Sequence, residues 1–189
     1  MATQDSRIKI KRSTVSSTVP TIPSSSDHTD GTWIATDIYK GELFYNQADD
    51  VLWSRGDNGV RCLGGCAELT LSSAQILALN TTPQTIVPAV AGYAIEAISV
   101  SVKLDYNSSA YATNTNLLIM TDTANNPQYK RDSLLTQTID AVWKFPEVGP
   151  PSGTQLIANK ALTATIATGD PTAGDSPITI FVNYRLIPA

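Results

Sequence analysis

Few side chains in this 189-residue sequence could carry chemistry, and their spacing narrows what they could do. The one histidine, His28, stands in "SSSDHTDG". A Ser-His-Asp or Cys-His nucleophile needs an imidazole held in place. A Ser/Pro-rich arm cannot hold one. Cys62 and Cys66 form "CLGGC". A structural zinc takes about four ligands, so two thiols and a distant histidine fall short within one chain. A threefold assembly could gather thiols from three copies, but the pair reads as small core side chains. Asp49, Asp50 and Asp57 are an acidic cluster without the alternating oxygen ligands of a calcium loop. They read as turn formers, and so do Asp170 and Asp175 in "GDPTAGDS". No carboxylate pair sits in the aromatic-lined context that glycoside cleavage would need. "RGD" at Arg55 to Asp57 ends a strand and enters a turn. Asn80-Thr-Thr and Asn107-Ser-Ser match the glycosylation pattern. A chain without a secretory leader would not meet that machinery. The expectation is no enzyme, no metal and no cofactor.

Composition points the same way. Charged residues make up 16% of the chain, against about 25% in ordinary globular domains. The surface must be built from Ser, Thr, Asn and Gln. Net charge is −4, which gives no electrostatic reason to bind nucleic acid. The one basic cluster is Arg7, Lys9, Lys11 and Arg12. "MATQDSRIKIKRST" lacks the apolar stretch of a leader. No run of about 18 apolar residues appears, so no membrane insertion is expected. Two cysteines give no disulfide framework.

The elements fall into three regions. In residues 1–30, "RIKIKRST" alternates apolar and basic, enough for one short strand. "STVSSTVPTIPSSSDHTDG" has little to bury and stays extended unless a partner orders it. In residues 31–66, "WIATDIY" reads as strand or extended chain. "ELFYN" and "VLWSR" form a hairpin around Gln47 to Asp50, "GDNG" turns, and "VRCL" follows. Alternation puts Leu43, Tyr45 and Leu52 on one face, and Phe44, Val51 and Trp53 on the other. With both faces apolar, the hairpin needs cover on both sides, and copies of the same segment would supply it.

Residues 67–189 read as a sandwich. "AELTL" is a short strand, and "SSAQILALN" is a short helix capped at Ser72 or Ser73. "PQTIVP", "AIEAISVSVKLDY", "TNLLIMTD", "AVWKF", "TQLIAN", "ALTATIAT" and "ITIFVNYRLI" supply further strands. Many strands at short spacing with no long helix predict an all-β chain: an extended arm, a hairpin module, then an antiparallel, jelly-roll-like β-sandwich. In "AIEAISVSVKLDY", Ile95, Ala97, Ser99 and Ser101 are expected on one face. Ala94, Ile98, Val100, Val102 and Leu104 are expected on the other.

"RIKIKRSTVSSTVPT…GELFYNQADDVLWSR…GV" resembles the N-terminal modules of tailed-bacteriophage fibre and tropism proteins. The matching residues are Gly41, Glu42, Leu43, Asn46, Asp50 (or Asp49), Trp53 and Gly59. "LSSAQILALNTTPQTIVPA", "VKLDYNSSAYATNTNL" and "ATGDPTAGDSPITIFVNYRLI" are similar to a β-sandwich domain of phage virion proteins. The resemblance implies a homotrimeric virion appendage, assembled in the host cytoplasm, with its N-terminus in the particle and its C-terminal domain outward. A chain this short, without a repeat shaft, is expected to be a head fibre or capsid decoration protein rather than a tail fibre.

On that expectation Arg7, Ile8, Lys9, Ile10, Lys11 and Arg12 dock on the major capsid protein or another virion protein by strand addition. Trp33, Leu43, Phe44, Tyr45, Val51, Leu52 and Trp53 form the trimer interface. The alternative is a tail-fibre or receptor-binding protein that grips a host surface glycan through loop aromatics. Its contacts would be Tyr106, Tyr111, Tyr129 and Trp143.

Overall fold

The structure is a computed structural model that describes residues 10–24, 34–121, 127–146 and 156–189. The chain divides into two compact units, residues 1–65 and 66–189. The fold is all-β, as the alternating sequence requires.

In the first unit, β1 (Lys11–Ser13) pairs in parallel with β2 (Leu43–Asn46). Strand β2 pairs antiparallel with β3 (Val51–Gly56) across the four-residue turn, Phe44 opposite Trp53 and Tyr45 opposite Leu52. Strand β3 pairs with the start of β4 (Gly59–Leu71) across Asp57 and Asn58. Gly59 supplies the positive φ (+99°) of that turn, as tight hairpin loops require. "VRCL" and "AELTL" are therefore one strand rather than two. The described part of "WIATDIY", residues 34–39, is not a strand: Ile34 and Asp37 close a turn, and Asp37 makes an isolated parallel bridge with Thr21.

The face test has a more decisive outcome than expected. Phe44, Val51 and Trp53 are almost wholly buried within this one chain, together with Ile38. Burial of such side chains contributes about 1.5–3 kcal/mol each. Their assignment to a trimer interface is therefore corrected: the chain covers that face itself. Leu43 is exposed, and Tyr45 and Leu52 are half-buried. Trp33 lies outside the described residues.

The second unit holds two antiparallel sheets. One has the order β4–β11–β6–β9, built from β6 (Tyr93–Leu104), β9 (Ala141–Lys144) and β11 (Ile178–Pro188). The other has the order β5–β10–β7–β8, from β5 (Gln84–Val87), β7 (Leu117–Met120), β8 (Pro127–Arg131) and β10 (Leu162–Ile166). Val100, Val102, Leu104, Ile178, Ile180 and Val182 are buried on the first sheet, and Leu117, Ile119, Ala164 and Ile166 on the second. This is a sandwich-like arrangement. The short helix α1 (Ser73–Ile76) starts at a capping box in which Ser72 and Gln75 satisfy each other's backbone.

Strand β6 departs from simple alternation. Its register against β11 slips between Asn183 and Tyr184, leaving Ile98 as an extra residue. A bulge of this kind switches which residues face inward. Ile95 and Ala97 are buried before it, Val100, Val102 and Leu104 after it, and Ile98 is 54% exposed. The expected grouping of Ile98 with Val100, Val102 and Leu104, and of Ile95 and Ala97 on the opposite face from them, is corrected accordingly. The described part of "TQLIAN", residues 156–159, contributes an isolated bridge at Ala158. "PQYKR", polar enough to read as loop, is β8.

Candidate interaction surfaces

In the first unit, a strap from Ile10 to Thr21 is fastened to the hairpin. Strand β1 adds to the edge of β2, and Gln47 N–H donates to Ser13 C=O at 2.8 Å. The Lys11 ammonium donates to Asp37 C=O at 2.7 Å and to the Glu42 carboxylate at 3.0 Å. It lies 5.5 Å from the centre of the Tyr39 ring, within cation–π range. Glu42 also accepts from Tyr39 N–H at 2.7 Å.

Asn46 is buried, and its amide donates to Val15 C=O and Thr18 C=O, both at 3.2 Å, and to Asp49 at 2.6 Å. Its oxygen accepts from Ala48 N–H at 3.0 Å, shaping the turn. Asp49 accepts from Ser16 Oγ at 2.6 Å and from Ser17 N–H at 2.5 Å. Thr21 donates to the buried Asp37 carboxylate at 2.6 Å. Within the Ser/Thr stretch expected to stay extended unless a partner orders it, residues 13–21 are held by this chain itself, because Asn46 and Asp49 bind its backbone.

Of the expected docking residues, Arg7, Ile8 and Lys9 lie outside the described residues. Lys11 is committed to this chain's own hairpin, and Ile10 and Arg12 are exposed. The strand addition expected against a virion partner is, for Lys11 to Ser13, made to β2. Sequence reading missed Glu42 and Asn46 as clamps. Their signal was present, since both belong to the "GEL-x-x-N" pattern.

The acidic turn residues do turn chemistry and more. Asp50 has φ +52° and accepts from the Tyr45 phenol. Asp57 pairs with Lys40 at 2.9 Å. Arg55 of the "RGD" donates to Ile38 C=O at 2.7 Å.

The four loop aromatics separate into two pairs. Tyr111 is buried, its hydroxyl donates to Ser176 C=O at 2.7 Å, and its pKa is pushed up to about 12, first by burial and then by Asp175. Tyr129 is buried and donates to Ile98 C=O at 2.7 Å. Neither ring can meet a glycan, and their assignment as contacts is corrected. Tyr106 and Trp143 are half-buried; Tyr106 donates to Ser108 C=O at 2.7 Å.

Asp170 and Asp175 each hold a neighbouring loop. Asp175 accepts from Ser108 N–H at 3.1 Å, Ser109 N–H at 2.9 Å, Ser108 Oγ at 2.6 Å and Asn107 Nδ2 at 3.0 Å. Its pKa is lowered, chiefly by the Ser108 hydroxyl. Asp170 accepts from Asn80 N–H at 2.8 Å and Thr81 N–H at 3.0 Å, and from the Thr81 hydroxyl. Its pKa is lowered too, chiefly by that hydroxyl. Beside this loop lies a cavity of about 200 Å³ lined by Asn80, Pro83, Leu118, Met120, Thr163 and Thr165, among others. The two threonine hydroxyls there donate to Met120 C=O and Leu79 C=O.

Neither Cys62 nor Cys66 is in a disulfide. Among the described residues no group of three or more His, Cys, Asp or Glu is placed to hold a metal ion. No helix among them is long and apolar enough to cross a membrane. His28 lies outside the described residues.

No protein-family model and no curated protein matches the chain. Among solved structures, the chain is similar to one titled "Cyanophage Pam1 capsid asymmetric unit". The likeness has a TM-score of 0.43 and 14% identity over 66% of this chain and 86% of that one. A likeness that loose carries no functional argument.

Proposed function

We propose that the chain is a structural component of a bacteriophage virion, a homotrimeric head fibre or capsid decoration protein. Its N-terminal arm anchors it to the major capsid protein or another virion protein, and its second unit faces outward. The observation that supports this reading is the shared job of the residues that carry the phage-appendage resemblance. Gly41, at φ +82°, donates to Arg55 C=O at 2.8 Å and begins the hairpin. Glu42, Asn46 and Asp49 bind the strap. Trp53 fills the core beneath it. The recurring pattern is thus a fastening for an N-terminal segment, which suits a module that carries load between an anchor and a displayed domain.

The reading is non-enzymatic. The aspartates that could have served as catalytic groups are spent on loop and strap hydrogen bonds. Tyr106 and Trp143, two of the four expected rings, would remain for the glycan alternative, and nothing else favours it.

Deletion of residues 2–9 tests the anchor, because it leaves β1 and its clamps intact. The expected result is a folded, assembled protein that no longer loads onto particles. Particles that still carry the truncated chain would sink the anchoring role of the arm.

A further inference from the structure

Asn58 is the one asparagine in this sequence that a glycine follows. It stands with Asp57 at the tip of the β3–β4 hairpin, which the pairing of Gly56 with Gly59 closes. Asn58 is exposed. The tip is uncrowded: beyond its chain neighbours, a Cβ on Gly56 or on Gly59 would meet no atom within 4 Å. Asn58 also differs from the other asparagines in being untied. Asn46 clamps the strap. Asn80, Asn107 and Asn114 donate to Ile166 C=O at 2.5 Å, to the Asp175 carboxylate at 3.0 Å and to Asp170 C=O at 3.1 Å. Asn116 and Asn159 accept from Ser133 N–H at 3.2 Å and Gly92 N–H at 2.7 Å. Asn183 donates to Ser99 Oγ at 3.0 Å. Among the described asparagines, Asn58 alone has a side chain without a hydrogen bond.

We propose that Asn58 is a self-modification site, which deamidates through a cyclic imide with Gly59 ahead of every asparagine whose side chain is tied. The Gly59 nitrogen gives up its proton and attacks Asn58 Cγ. The N–Cγ bond forms, the Cγ–Nδ2 bond breaks, and Nδ2 leaves as ammonia with the proton that Gly59 gave up. Water then opens the ring. Cleavage at Cγ leaves aspartate. Cleavage at the Asn58 backbone carbonyl leaves isoaspartate, with Cβ and Cγ drawn into the main chain. Gly59 has no Cβ to obstruct the attack, and its backbone is free to rotate toward the ring geometry. A tied amide cannot swing its Cγ onto the following nitrogen without first losing its hydrogen bond. The Gly56–Gly59 pairing must open for the attack, because the imide nitrogen has no hydrogen to donate. At the tip of an exposed hairpin that opening costs little. Either product sets a new carboxylate beside Asp57, whose ion pair with Lys40 spans 2.9 Å. The proposal is independent of the virion reading.

The test is incubation of the full chain in mildly alkaline buffer at physiological temperature, with circular dichroism as the check that it stays folded. Ammonia release, isoelectric focusing and peptide mapping follow the reaction, and an isoaspartyl methyltransferase is the probe for the β-linked product. The expected result is a shift of one acidic charge per chain, mapped to Asn58, with isoaspartate among the products. Asn58→Ser should abolish that first acidic shift while leaving the fold unchanged. A folded chain that keeps Asn58 intact while the guanidinium-unfolded chain converts it overturns the proposal, because the fold then protects the site. Conversion of Asn80, Asn107 or another tied asparagine before Asn58 overturns it as well.

Discussion

Asn46 and Asp49 hold one another at 2.6 Å, and each reaches a different part of the same strap. Asn46 takes the carbonyls of Val15 and Thr18, and Asp49 takes the Ser16 hydroxyl and the Ser17 amide. The pair makes the turn of the hairpin and the fastening of the arm a single hydrogen-bonded unit. Asn46→Ala should therefore take the side-chain amide from the Thr18 carbonyl and leave the Val15 carbonyl only its hydroxyl donors, at about 1–3 kcal/mol. The readout is amide exchange: Ser17 should lose protection, while the β6–β11 ladder keeps its own. Unchanged exchange at Ser17 would show that the strap does not depend on this amide.

Gly174, at φ +93°, lies so close to the Tyr111 ring that a Cβ on it would sit 2.3 Å from the ring carbon Cδ1. Gly174→Ala should displace the ring and strain the backbone together, costing on the order of 1–3 kcal/mol in chemical denaturation. Ultraviolet titration should then find one tyrosine, near 12 in the parent, titrating lower as Tyr111 meets water. A stable variant with an unaltered tyrosine titration would contradict this contact.

Asp170 and Asp175 have folded pKa values below the ordinary 3.8. The stability they contribute is fully present above the unfolded value and is lost as pH falls through their folded values. The loops at Asn80–Thr81 and Ser108–Ser109 should loosen below about pH 4. Asp175→Asn should remove part of that acid dependence, since a neutral amide does not titrate. Acid unfolding curves of parent and variant check it, and identical slopes below that pH would rule it out.

Gln128 stands where a neighbouring strand would stand. It is buried, its oxygen accepts from Ala97 N–H at 2.7 Å, and its nitrogen donates to Ile95 C=O at 2.9 Å. Gln128→Leu should strand both backbone groups and cost about 2–4 kcal/mol. Gln128→Glu keeps the acceptor, so Ala97 should exchange more slowly in Glu than in Leu. Equal exchange in the two variants would count against the side chain as a strand substitute.

Local patterning sufficed for much of the fold. The hairpin, its four-residue turn, the α1 cap and most sandwich strands follow from alternation and turn residues, which act over a few positions. Strand β8 was illegible because Lys130 and Arg131 hide its pattern, although Gln128 and Tyr129 are buried. The β6 bulge was illegible because one inserted residue breaks the alternation without any glycine or proline to mark it.

The sequence by itself determined that the chain is all-β, that its hairpin has two apolar faces, and that its arm has nothing of its own to bury. Only the tertiary structure decided which face the chain covers itself, and that residues 10–21 of the arm are fastened to the hairpin. The reason is distance along the chain. Asn46 lies 31 positions from Val15, Lys11 lies 31 from Glu42, and Tyr111 lies 65 from Ser176. Alternation says which side chains share a face, but only the folded chain brings that face its partner.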